Sequence, residues 1–347
     1  MGSKLVFLAV SFAVGWLVQM LGMPAGWLLG ALATGIFWSF FVQKLIFKSE
    51  LFTVSLALVG ISIGFMVIPE ELWAYRMLLP AFLLTLALTL AGGILLGKGF
   101  EKWAHTTGNT AFFCCLPGGA SEVIALSERY QADQRIVAAF HTTRITLFVL
   151  VVPLLVGLAT GGGGVSLPTA ATQPFAADAW LVFLALLGAA VIFCLARFVT
   201  FPGAPMFLAI ALGFAVHQLL VPEYSMPNIV LGSAQVLIGS LIGMRFDRKT
   251  LKELSRIGAA SAAALALYVV MSVGLALIFF VLTPLPFFTS LLAIVPAGAA
   301  EMASTAAQLE LDATAVATLQ MLRVLALFIA LPFLIKLFAK KENQPAS

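Results

Sequence analysis

Ten apolar runs, each close to the length of a membrane-crossing helix, govern what this chain can fold into. They fall at about 5–21, 25–43, 51–68, 77–97, 136–158, 180–200, 204–222, 227–244, 257–282 and 314–336. A helix needs about 20 apolar residues to cross a hydrocarbon core, and the loops between these runs are too short to form soluble domains. Only 10% of the 347 residues are charged, against about 25% in a soluble domain, so a water-facing surface cannot be covered. The sequence predicts an all-α polytopic membrane protein. The first run follows Lys4 and leads at once into the second without a convincing cleavage site, so it reads as a span rather than a leader. Cys114 and Cys115 are adjacent and Cys194 lies inside a run, which is not a disulfide framework.

The chain repeats itself. At an offset of 179, Gly60 and Gly64 fall on Gly239 and Gly243. Pro117, Gly119, Ala120 and Glu122 fall on Pro296, Gly298, Ala299 and Glu301. Asp133, Val137, Ala138, Arg144 and Pro153 fall on Asp312, Val316, Ala317, Arg323 and Pro332. Nine of the 37 pairs from Pro117 to Pro153 are identical, and they include charged residues that an apolar span does not need. An internal repeat is the simplest reading. It divides the chain into a first membrane repeat at 1–158, a soft Gly- and Pro-containing linker at 159–179, and a second membrane repeat at 180–347.

Charge decides how the repeats relate. If each half crosses five times and its Pro-Gly segment does not cross, the halves are inverted. With the N-terminus inside, 16 of the 19 basic residues then lie inside, Arg76 lies outside, and Arg144 and Arg323 lie within spans. If the Pro-Gly segments crossed, nine would lie outside against eight inside, leaving no bias. Basic residues accumulate on the cytoplasmic side. The expectation is therefore two inverted repeats, each of about five transmembrane helices plus a broken re-entrant or half-helix segment, with both termini cytoplasmic.

The broken segments are "PGGASEVIALSERY" at 117–130 and "PAGAAEMASTAAQL" at 296–309. Proline withholds a donor and glycine admits unusual dihedrals, so a continuous helix is interrupted there. Irregular backbone at membrane depth survives where it is buried in protein or lines a cavity, and paired breaks of this kind form the binding sites of many secondary transporters. Candidate binding residues in the first repeat are Pro117, Gly118, Gly119, Ser121 and Glu122; in the second they are Pro296, Gly298 and Glu301. Glu122 and Glu301 sit in the first turns of the half-helices, where the dipole favours their anionic form and burial opposes it.

Arg144 and Arg323 lie about 12 Å into their spans at 1.5 Å per residue. Each needs a carboxylate, a carbonyl or a ligand. The glutamates are the expected carboxylates, Glu122 for Arg144 and Glu301 for Arg323, or the reverse. One turn earlier on the same face stand His141 and Gln320, which join the candidate set. Asp133 and Asp312 read as N-caps of the spans that follow. The glycines at 60–64 and 239–243 read as helix-packing positions.

With these residues in view, the chain resembles the AbrB family of bacterial membrane proteins, whose defining feature is an internally duplicated hydrophobic domain. The likeness runs from "MPAGWLLGALATG" at 23–35 through both Pro-small-Gly…Glu…Arg units. It implies a bacterial inner-membrane location. Such proteins are described as regulators of gene expression and sometimes as ammonia monooxygenases. The family shares its name with a soluble DNA-binding regulator, but no basic soluble unit exists here, so no nucleic-acid partner is implied.

The preferred functional reading is a secondary transporter of a small metabolite or ion, with the bilayer and that ligand as its partners. The alternative is a membrane-embedded regulator without transport, with "RFDRKTLKELSR" at 245–256 as its output surface. A metal oxygenase would want clustered ligands, whereas His105, His141 and His217 are scattered. The expectation is a non-enzyme with no cofactor and no resident metal. The sequence leaves homo-oligomerisation open.

Overall fold

In the computed structural model, residues 2–23, 25–118, 120–159, 175–199, 203–222 and 224–338 are described. Their regular structure is helical. The first half runs α1 (Gly2–Met20), α2 (Gly26–Phe41), α3 (Ser49–Gly64), α4 (Pro69–Ala74), a 3₁₀ turn (Tyr75–Leu78), α5 (Leu79–Ala104), α6 (Gly108–Cys115), α7 (Ala120–Arg129) and α8 (Gln134–Ala159). The second runs α9 (Phe175–Leu195), α10 (Ala204–Leu220), α11 (Asn228–Arg245), α12 (Arg248–Ile257), α13 (Ala259–Leu282), α14 (Phe287–Ile294), α15 (Ala299–Gln308) and α16 (Ala313–Phe338). Among the described residues, seven helical stretches are long and apolar enough to cross a membrane, and three shorter apolar helices, α2, α3 and α10, accompany them. Every one of the ten expected runs is a helix. The linker at 159–179 lies almost wholly outside the described residues.

The offset of 179 holds at the level of single elements. Adding it to the bounds of α6, α7 and α8 gives those of α14, α15 and α16 without a residue of slippage. Even single dihedrals repeat: Gln131 and Glu310, 179 apart, both adopt φ of 56° after their half-helices. Non-glycine residues seldom enter this left-handed region. Helix contacts interchange in the same way. α2 packs on α11 as α10 packs on α3, α1 on α2 as α9 on α10, and α5 on α6 as α13 on α14. The pairs α3–α11 and α5–α13 are their own counterparts.

Glycines set the closeness of the central contacts. A Cβ on Gly35 of α2 would stand 2.8 Å from the Ser240 carbonyl oxygen and 2.9 Å from Gly243 Cα of α11. A Cβ on Gly60 of α3 would stand 2.7 Å from the Met206 carbonyl oxygen of α10. Backbones at this separation leave no room for a side chain, and small residues permit such approach in membrane bundles. The paired glycines at 60–64 and 239–243 are packing positions, as their spacing indicates. The outer helices carry large exposed side chains, among them Leu83 of α5, Phe183 of α9, Val281 of α13 and Phe333 of α16. A water-soluble monomer does not display apolar patches of this extent.

Each broken segment forms for the same local reason. Leu116 and Val295 precede the prolines and are extended, with ψ of 123° and 130°. A residue before proline is driven out of the helical region, so α6 and α14 end one residue earlier. The spans that follow are capped as the sequence indicates. The Asp133 carboxylate accepts from the Arg135 and Ile136 amides at 3.0 and 3.3 Å, and Asp312 accepts from the Ala315 amide at 2.8 Å.

Candidate functional site

The ends of α6 and α14 leave carbonyl oxygens with no helical partner, deep in a bundle where water does not reach. The long helices α8 and α16 supply the missing donors. His141 Nε2 lies 2.9 Å from the Phe113 oxygen, and Arg144 Nη1 donates to the Leu116 oxygen at 3.4 Å. In the second half Gln320 Nε2 donates to Leu292 at 2.6 Å and to Val295 at 3.1 Å. Arg323 Nη1 donates to Val295 at 2.6 Å and Ile294 at 3.3 Å, and its Nη2 donates to Ala297 at 3.0 Å. Leu292 is the counterpart of Phe113 and Val295 that of Leu116. The same pair of side chains therefore clamps the same two carbonyls in each half. A cation at the C-terminal end of a helix also meets the negative end of its dipole.

This arrangement corrects the expected ion pairing. Glu301 and Arg323 form no ion pair; those among the described residues are Lys44–Asp247, Lys48–Glu50 and Arg256–Glu253. The arginine needs a carbonyl, a carboxylate or a ligand, and the break supplies the first. Glu122 cannot be placed against Arg144, because Gly119 and the side chains of Ser121 and Glu122 lie outside the described residues.

Hydrogen bonding fixes the state of His141. Its Nε2 faces a carbonyl and must carry hydrogen, which leaves Nδ1 to accept from Arg144 Nη2 at 3.1 Å. A second hydrogen on Nδ1 would point at a guanidinium, so the ring stays neutral in this arrangement.

One contributor escaped the sequence reading. Tyr268 of α13, from the other half, is fully buried; its hydroxyl accepts from Arg144 Nη1 at 3.2 Å, and the guanidinium lies 4.9 Å from its ring centre. The signal was present, since tyrosines in membrane helices concentrate at the interfaces and Tyr268 stands mid-helix. Its counterpart is Thr89, whose hydroxyl bonds back to Thr85 at 2.6 Å. The two guanidinium groups lie within electrostatic reach of each other and of Tyr268. Arg144 Nε and the Gln320 and Gln235 side-chain oxygens are buried with no hydrogen-bond partner among the described residues.

Glu301 takes a different place. It is the third residue of α15 and 3% exposed. Its carboxylate folds back over Gly298, into the space that a Cβ there would occupy. This is the position from which a glutamate caps free amides at a helix start. Ser304, one turn on, accepts a 3.1 Å bond at its carbonyl from Gln235 of α11 and so ties the half-helix to that span. Pro117 and Pro296 are buried at the breaks, and Gly118 is half-buried against Val123. α15 packs on α8, so the second break reaches the helix that carries His141 and Arg144.

Beside these elements lies a cavity of about 480 Å³. Its walls come from both halves: Ile124 of α7, one face of α8 down to Thr142, the start of α3 with Phe52, the end of α11, the loop at 44–48, and Asp247 with the first turns of α12. Lys44, Lys48, Arg135, Arg245 and Lys249 line it, against Asp247 and Glu253. Asp247 caps α12, accepting from the Thr250 amide at 2.8 Å and pairing with Lys44. Burial pushes its carboxyl up, but the Lys44 bond and the amide and hydroxyl of Thr250 outweigh it and hold the group below its ordinary value. A second cavity, about 550 Å³, is lined only by α5, α6 and the loop between them.

The family model described as "Transition state regulatory protein AbrB" matches residues 27–339. The protein YhjN of Bacillus subtilis (strain 168) is 29% identical over 94% of this chain and 90% of its own length. The protein named "Putative regulator AbrB" in Escherichia coli (strain K12) is 26% identical over 94% of this chain and 93% of its own. No solved structure matches. A helical bundle with two equivalent broken segments, and a family model spanning nearly all of it, make the chain a member of the AbrB family.

Proposed function

We propose that this protein is a secondary transporter of a small metabolite or ion in the bacterial inner membrane. In this reading two inverted repeats place their broken segments at a shared site. The observation that carries it is the pair of equivalent breaks, each with its carbonyl end held by a buried arginine from the following helix. A structural kink needs one proline and no clamp. Two half-helices, α7 and α15, both packed on α8 and each preceded by a clamped helix end, are the parts from which alternating-access sites are assembled. Inversion is supported by the count of basic residues; the interchange of helix partners supports a two-fold relation between the halves. Both termini are then cytoplasmic and the linker at 159–179 periplasmic.

The Escherichia coli relative carries the name of a regulator, and a regulator would need an output surface. The segment that could serve, α12, buries Glu253, Leu254 and Ile257 and packs on α8 and α13. Its other face, with Arg248, Lys249, Leu251, Lys252, Ser255 and Arg256, is exposed, but ten residues make a small output surface.

The test is exchange in proteoliposomes. Vesicles holding the purified protein and an unlabelled extract of small metabolites are placed in a ¹³C-labelled extract, and the lumen is read by mass spectrometry. Transport predicts that at least one labelled species enters above protein-free vesicles, and that Gly298→Trp abolishes the entry. No protein-dependent entry overturns the reading. A cysteine at Ser166, in a chain without its native cysteines, tests the orientation separately. It should react with an impermeant thiol reagent in intact cells; reaction only after lysis rules out inverted repeats.

A further inference from the structure

We infer that the 480 Å³ cavity is an anion-capturing vestibule, and that the transported species is a small organic anion such as a carboxylate. The inference rests on the transporter reading and names its substrate class. The argument starts from which charges are already satisfied. Lys44 is bound to Asp247, Lys48 faces Glu50 at 3.8 Å, and Glu253 is taken by Arg256. The acidic groups of the wall are thereby spent. Arg135, Arg245 and Lys249 line the same cavity with no ion-pair partner among the described residues. Three exposed cations without an ion-pair partner among the described residues, gathered at one cleft, focus a positive potential there.

Basic residues also accumulate beside membrane helices for reasons of orientation alone, so their number is not the argument. Their arrangement is. The cavity does not stop at the surface: Gln134, Ala138 and Thr142 descend one face of α8, about 12 Å at 1.5 Å per residue. Thr142 adjoins His141 in sequence, while Arg144, two residues on, lies on the opposite side of α8. Ile124 brings in the half-helix of the first break. Arg245 closes the opposite side, resting 5.4 Å from the Phe52 ring centre. A cation entering by this route would meet three like charges before reaching either break.

The experiment uses detergent-solubilised full-length protein with Cys114→Ala, Cys115→Ala and Cys194→Ser, and one added cysteine, Thr142→Cys. Its alkylation rates with a sulfonate-bearing and a trimethylammonium-bearing methanethiosulfonate are compared with those of free mercaptoethanol. The vestibule predicts a rate ratio favouring the anionic reagent by about tenfold over the free thiol, falling towards the free-thiol value when Arg245→Gln and Lys249→Gln are added. Ala138→Cys, one turn nearer the mouth, serves if Thr142→Cys does not fold. A ratio equal to that of the free thiol, or a ratio that the two neutral substitutions leave unchanged, overturns the inference. So does the entry of a cationic metabolite in the proteoliposome exchange, which leaves the transporter reading standing. An absence of any exchange overturns the transporter reading instead, while the alkylation ratio still reports on the cavity.

Discussion

Replacing Arg323 by methionine separates a carbonyl clamp from an ion pair. Arg323 makes three hydrogen bonds, at 2.6, 3.0 and 3.3 Å, to the end of α14 and its break. On its removal Val295 keeps a donor, because Gln320 reaches the same oxygen at 3.1 Å. Ile294 and Ala297 lose theirs. Hydrogen bonds between membrane helices contribute about 0.6 kcal/mol on average and up to about 1.7; a charged donor raises this to about 1.5–3. Relief from burying a cation without a carboxylate offsets part of the loss. The balance for Arg323→Met is a destabilisation of about 3 kcal/mol. Arg144 makes longer contacts, 3.1 to 3.4 Å, and its Nε is unsatisfied. Arg144→Met should therefore cost only about 1 kcal/mol.

The assay is reversible unfolding in mixed detergent, on both single variants and on a cycle with Glu301→Gln. A clamp made of carbonyls predicts that Arg323→Met and Glu301→Gln add, with a coupling below about 0.5 kcal/mol. Arg323→Lys should keep only part of the stability, since an ammonium cannot fork across three oxygens. Coupling above about 1 kcal/mol between positions 301 and 323 would refute the clamp and restore the ion pair. Equal losses for the two arginines would refute the weight given to bond length.

Other expectations follow from single contacts. Gly298→Ala has an acceptable backbone, φ −72° and ψ 136°, but its Cβ displaces the Glu301 carboxylate. It should impair exchange in proteoliposomes while leaving the gel-filtration profile unchanged. Gly64→Leu, where a side chain would strike the α10 backbone, should instead abolish a monodisperse peak. Asp247 has a lowered folded pKa, so its contribution is present above the unfolded value of about 3.9 and lost as pH falls through the folded one. A melting series from about pH 7 to pH 3 should therefore show Asp247→Asn less stable than the parent at neutral pH and converging with it in acid.

The sequence carried the spans, the breaks and their pairing because each has a local cause. Length and apolarity make the helices, proline and glycine stop them, and a repeated offset links distant copies. Tertiary choices were less legible. Nothing in the spacing of Glu301 and Arg323 says that the arginine will prefer backbone oxygens, because the geometry that decides it belongs to the break itself. Once Val295 is extended, its own carbonyl and those of Ile294 and Ala297 converge on α16, and a forked donor satisfies them all. Glu301, one turn into the next half-helix, has free amides of its own to cap and does not need the arginine. Tyr268 was missed because repeat matching searches for identity, and its counterpart is a threonine.

That mismatch bears on how the two halves divide their work. Arg323 is held by three carbonyls, one of which, that of Val295, also accepts from Gln320. Arg144 donates to a single carbonyl at 3.4 Å, to a neutral histidine and to a tyrosine from the opposite half, and its Nε has no partner among the described residues. A transport cycle in which one repeat moves against the other must break whatever contacts join them, and Arg144–Tyr268 is such a contact. It combines a 3.2 Å bond from a charged donor with a ring contact at 4.9 Å, so such a movement would have to give up both. The basic cavity follows the face of α8 that carries Gln134, Ala138 and Thr142, and Arg144, two residues beyond Thr142, lies on the other side of the helix, turned to Tyr268 and the first break.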